Sequence, residues 1–138
     1  MMRTSLTDDE QDALRVFATL GITVDQFLQR MRAKITVCDF RPGHRQIRVD
    51  FFQWEPVTVT RDDIRWVVRR YLHGKVSGEE LSNWAGLLLA ISAYDLPSGS
   101  LDNDLLALLE DLSLPLKSEY LDRDILKRRL RNSLDEKD

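Results

Sequence analysis

The chain has 138 residues, 43% of them hydrophobic and 31% charged, with a net charge of −3. That is enough apolar material for one domain (1–138) with a real core, and the near-balanced charge excludes both a nucleic-acid-coating polycation and a disordered polyanion. A single cysteine, Cys38, excludes an internal disulfide framework, no secretory h-region opens the chain, and the longest apolar run, 85–91, is too short for a bilayer, so a cytoplasmic protein with no membrane contact is expected.

Helix starts are the clearest local signal. A capping box puts Ser or Thr at the N-cap and an acid or amide three residues on; a hydrophobic staple adds apolar residues at N′ and N4. Thr7 to Glu10 has the box, and a helix over 8–20 follows, with Ala13, Leu14, Phe17 and Leu20 on one face. Gly21 is expected to supply its left-handed stop. Ile22-Thr23-Val24-Asp25-Gln26-Phe27 has both devices and starts a helix over 24–34. Next, Ile35-Thr36-Val37 and residues 46–52 alternate with period two around the turn signal Arg41-Pro42-Gly43-His44. They predict an antiparallel hairpin over about 35–52, with Val57-Thr58-Val59 as a short third strand.

Val59-Thr60-Arg61-Asp62-Asp63-Ile64 starts the next helix, 61–73, whose Ile64, Val67, Val68, Tyr71 and Leu72 form an apolar stripe that Gly74 stops. Val76-Ser77-Gly78-Glu79-Glu80-Leu81 repeats both devices and opens a helix over 78–93, apolar nearly all round and so expected to be central. Its small residues Ser82, Gly86 and Ala90 form a ridge that another helix can approach. Helices over 102–112 and 118–134 complete the pattern. The expected fold is α+β and mostly α-helical: about six helices packed around helix 78–93, with one small hairpin.

Catalytic signals are weak. His44 and His73, the only histidines, lack metal-type spacing to each other or to Cys38, and no P-loop, GxGxxG, GxSxG or HExxH occurs. Neither an enzyme nor a bound cofactor or metal is expected. Two surface features stand out instead. Between Val76 and Leu116 there are seven acids (Glu79, Glu80, Asp95, Asp102, Asp104, Glu110, Asp111) and no Lys or Arg, whereas 41–75 carries eight basic residues against four acids. A segregated acidic face steers basic partners. The second feature is Trp66. At about 100° per residue it points about 160° from the apolar stripe of its helix, with Asp62, Arg69 and Arg70 as helical neighbours and Arg65 next in the chain. An exposed Trp beside arginines is the composition of a binding anchor, for a partner protein or a second copy of the chain.

The segment YLHGKVSGEELSNWAGLLLA resembles a pattern of small bacterial helical proteins, mostly uncharacterised: an aromatic-Leu-x-Gly-Lys turn followed by Ser-x-Glu-Glu-Leu-x-x-Trp-Ala. It is also distantly similar to the turn of colicin-immunity-type proteins. Tyr71, Leu72, Gly74, Lys75, Val76, Ser77, Glu80, Leu81, Trp84 and Ala85 carry the match, about twenty of the 138 residues. The resemblance implies a helical bacterial binding protein of immunity type, neutralising a basic toxin through an acidic face that includes Glu79, Glu80, Asp102 and Asp104. A second resemblance, over 17–27, is to a helix-turn-helix DNA-binding regulator, with Gly21 in the turn and Phe27 inward. Phe17 stands where that motif has a small residue, and Asp25 at the head of the second helix repels phosphate, so nucleic acid is the less favoured partner. A small-ligand site formed only by convergence in space is the third alternative.

Overall fold

The computed structural model describes residues 6–37, 47–49, 54–91, 93–97, 103–113 and 123–129. Their order is α1 (Asp8–Phe17), α2 (Val24–Arg30), β1 (Ile35–Val37), β2 (Ile47–Val49), β3 (Val57–Thr58), α3 (Arg61–Leu72), α4 (Gly78–Ala90), β4 (Tyr94–Asp95), α5 (Asn103–Leu112) and α6 (Arg123–Arg129). The fold is mostly helical. Buried side chains from all six helices join in one core cluster. Within it α4 packs against α2, α3 and α5. Gly86 of α4 faces the end of α5, where a Cβ would sit 3.8 Å from the Ser113 Cβ, an ordinary contact that alanine also allows.

The expected helix starts form at Thr7, Thr23, Thr60 and Ser77, each with its hydroxyl accepting from the N3 backbone N–H. Thr7, Thr23 and Thr60 have complete capping boxes, closed by Glu10, Gln26 and Asp63. Glu10 does two jobs. It accepts from Thr7 N at 3.0 Å and from Lys34 Nζ at 2.8 Å, and the residue is only 6% exposed. Burial pushes its carboxyl up, but the hydrogen bonds and charge of Lys34, with those of Thr7, outweigh it and hold the group below its ordinary value.

The helix stops hold a correction. At the end of α3, Gly74 adopts φ +77°, Lys75 N donates to Arg70 O at 2.8 Å, and Gly74 N donates to Tyr71 O at 3.0 Å. This is a Schellman motif with glycine in the left-handed position. The same motif ends α1: Gly21 N donates to Val16 O and Leu20 N to Phe17 O, both at 2.9 Å. Here, however, Leu20 takes the positive φ, +53°, and Gly21 does not. The left-handed residue stands three before the N-cap in both turns, so the two connections share one geometry. Gly21 is needed for another reason. A Cβ there would lie 2.6 Å from Val16 Cγ1 and 3.2 Å from Val16 O. Gly74→Ala is expected to cost about 1 kcal/mol for the backbone conformation alone. Gly21→Ala is expected to cost more, about 1–3 kcal/mol, through overpacking against a stiff β-branched side chain. Urea titrations compare them, and a smaller loss at Gly21 than at Gly74 would contradict the assignment.

The strands also differ from expectation. Val57–Thr58 does not extend a hairpin; it pairs in parallel with β4, Val57 opposite Tyr94 and Thr58 opposite Asp95. A parallel pair needs a crossover, and α3 with α4 supplies it. Ile35–Val37 and Ile47–Val49 form a short antiparallel ladder with Ile35 opposite Val49. The Arg41–His44 turn and the rest of the 35–52 span lie outside the described residues, so a pairing, and not a complete hairpin, is what the structure gives. Among the described residues, no helix is long and apolar enough to cross a membrane.

Candidate functional site

The two helical turns, 18–23 and 73–77, lie side by side, and three side chains bind the end of α1 from elsewhere in the chain. The last turn of α1 tightens, with Ala18 N donating to Arg15 O at 3.2 Å. The neighbouring Leu14 carbonyl accepts the Tyr94 hydroxyl at 2.6 Å. The Ala18 carbonyl accepts from Trp84 Nε1 at 3.2 Å, and Arg70 Nη1 donates to Thr19 O at 3.1 Å and Leu20 O at 3.0 Å. Carbonyls at a helix C-terminus have no intrahelical partner and carry partial negative charge, so a guanidinium and two neutral donors suit them. Burial raises the Tyr94 pKa, which keeps its hydroxyl a donor.

The start of α2 receives the opposite charge. Glu80 Oε2 accepts from Val24 N at 2.6 Å. The expected capping box at Ser77 is therefore only half made: Ser77 Oγ accepts from Glu80 N, but the carboxylate caps another helix. With Thr23 and Gln26 capping each other, three of the first four N–H groups of α2 meet side chains. Glu80→Ala is expected to destabilise the chain by about 1–2 kcal/mol through the orphaned Val24 N–H, with Glu80→Gln retaining part of the bond. Equal stability of Glu80→Ala and the parent chain in urea would contradict the cap. Between the turns lies a cleft of about 180 Å³ lined by Leu20, Ile22, Val76, Arg70, Lys75 and Glu80, with both N-cap residues.

The anchor expected at Trp66 is exposed. Its 56% exposure sets it apart as the exposed large hydrophobic side chain among the described residues. The Arg70 Cζ lies 5.9 Å from its ring centroid. Because Arg70 is fixed by the Thr19 and Leu20 carbonyls of the turn after α1, the indole rests against an immobilised cation, an interaction worth about 0.5–1 kcal/mol at an exposed site. Trp84 and Trp54 are buried. Arg69 is exposed, whereas Arg65 is half-buried and lies 3.8 Å from Asp62.

The sequence-predicted residues thus fall into three groups. Trp66, Arg69 and Arg70 lie from the middle of α3 towards its C-terminal end, and Arg70 lines the cleft. Glu79 is exposed at the start of α4, but Glu80 is committed to the Val24 N–H, because an unsatisfied helix donor in a half-buried turn is a stronger demand than solvent. Asp102 lies outside the described residues, as does the side chain of Asp104. Sequence reasoning missed Lys75 as a cleft residue and Arg70 as a clasp; both depend on contacts with the distant α1–α2 turn. At the end of α2, Arg30 is paired with Asp9 at 2.9 Å and Asp12 at 3.2 Å, and just beyond the helix Arg32 donates to Gln29 O at 2.8 Å. Among the described residues, no group of three or more His, Cys, Asp or Glu side chains is placed to hold a metal. No family model, curated protein or solved structure matches the chain.

Proposed function

We propose that the chain is a non-enzymatic binding protein that meets a protein partner through the outer side of α3, with Trp66 as its anchor. The observation that carries the reading is an indole more than half exposed and seated on a guanidinium that two backbone carbonyls fix. A rigid aromatic anchor costs little entropy to bury, and Trp and Arg dominate the energetics of interfaces. The DNA-binding alternative is less favoured, since Arg30, the arginine of α2, spends its charge on Asp9 and Asp12. A narrower form of the reading, immunity-type neutralisation of a basic toxin in a bacterial cytoplasm, would draw on Glu79, Asp95 and Glu110, which are exposed, but not on Glu80.

Photo-crosslinking from position 66 tests the reading. A benzophenone side chain there is expected to trap one discrete protein in the native cell, and the same group at exposed Arg15 to trap none of it. Recovery of a second copy of the chain would make the face a homodimer contact. No product, or the same product from position 15, would overturn the proposal.

A further inference from the structure

The reading above leaves the chemistry of the partner open, and the charges around Trp66 narrow it. Between Arg61 and Lys75 the chain has five basic residues against two acids, although the whole chain is net negative. The acids are not placed to neutralise the C-terminal end of α3. Asp63 closes the capping box with Thr60 at the far end of the helix, and Asp62 pairs with Arg65. Arg70 directs its hydrogen bonds to carbonyls, so its charge meets no carboxylate there. The Arg69 and Lys75 side chains are exposed and also meet no carboxylate among the described residues. Glu80 lines the same cleft, but its oxygen is turned to the Val24 N–H.

We propose that this end of α3 takes an acidic segment of a partner protein, with carboxylates on Arg69, Arg70 and Lys75 and an apolar side chain against Trp66. The inference rests on the Trp66 binding reading. Trp66 and His73 are seven residues apart, about 10 Å along the helix axis. Extended chain rises about 3.3 Å per residue, so a segment of about three to five residues reaches from the indole to the cleft. Leu20, Ile22 and Val76 give the cleft apolar wall, and Arg70 joins it to the indole. Nucleic acid fits less well: the cationic patch is one helix end, too short to follow a continuing phosphate backbone. A membrane surface would want more apolar area than one indole.

The test uses the full chain and two labelled peptides, Glu-Glu-Leu-Glu-Glu and Lys-Lys-Leu-Lys-Lys, in fluorescence anisotropy. The acidic peptide is expected to bind, and to weaken about fivefold or more when salt rises from about 50 to about 300 mM. The pair Arg69→Glu and Lys75→Glu, which touches no described structural contact, is expected to weaken it about tenfold. Trp66→Ala is expected to weaken it as well, while lowering the melting temperature by no more than about 4 °C, the loss of its contact with Arg70. Preferential binding of the lysine peptide, lost in Trp66→Ala, would overturn the acidic partner while leaving Trp66 an anchor. Equal binding by the parent and the charge-reversed protein would overturn it too. So would tighter binding of a single-stranded oligonucleotide or of phosphatidylglycerol vesicles, or no binding of the acidic peptide at about 1 mM, the weak end of specific recognition.

Discussion

Trp84→Ala is expected to remove about 3–5 kcal/mol of stability, a large part of the 5–15 kcal/mol typical of a small protein. Trp84 is fully buried and among the largest such side chains in the core. Its loss opens a cavity between α4 and the end of α1, and it strips the Ala18 carbonyl of its donor. Trp84→Phe separates the two effects. It keeps most of the ring volume and loses the hydrogen bond, so a cost of about 1–3 kcal/mol is expected. Urea unfolding measures both. A loss below about 1 kcal/mol for Trp84→Ala would mean that the α1 end is held in some other way.

The second large effect is at Phe17. Its ring stacks on Phe27 with centroids 4.1 Å apart and planes 12° from parallel, and both residues are fully buried. Phe17→Ala is expected to cost about 3–5 kcal/mol from the cavity alone. A cycle of Phe17→Leu, Phe27→Leu and the double variant should then show a coupling of about 0.5–1.5 kcal/mol for the stacked pair. Additive losses would remove the stack from the account. The pair also bears on function. A helix-turn-helix reader has a small residue where Phe17 stands; here the bulk is absorbed by stacking inside the core, and α2 ends after Arg30 with its arginine turned back to α1.

Local chemistry was legible in the sequence and non-local chemistry was not. Thr7, Thr23, Thr60 and Ser77 declare helix starts because their partners are three residues away. Periodicity turned Trp66 away from the stripe of α3, but that no other element covers it is a matter of packing, which the structure shows and the sequence does not. The Leu20 and Gly21 assignments reversed because glycine signals two different needs, a positive φ and a close approach, and sequence does not separate them. Glu80 reads as a box partner for Ser77, yet its true partner is 56 residues away. Arg70 reads as a surface charge, and only the packing of the two turns makes it a clasp. Val57–Thr58 reads as extended chain, but its parallel partner Tyr94–Asp95, two residues long, is below the length at which alternation can be seen.

These non-local bonds are what turn a capped helix pair into a site. Arg70 ties α3 to the turn after α1, presents Trp66, and forms a wall of the cleft. The exposed indole is thus a fixed part of the fold, and its solvent contact is the claim on which the function rests. Labelling the three tryptophans with 5-fluorotryptophan and assigning the fluorine signals by single Trp→Phe variants tests it directly. The account predicts that the Trp66 signal has the large H2O/D2O isotope shift, that Trp54 and Trp84 have small ones, and that the partner trapped from position 66 moves the Trp66 signal. A Trp66 isotope shift as small as that of Trp84, or a partner that leaves the Trp66 signal in place, would contradict it.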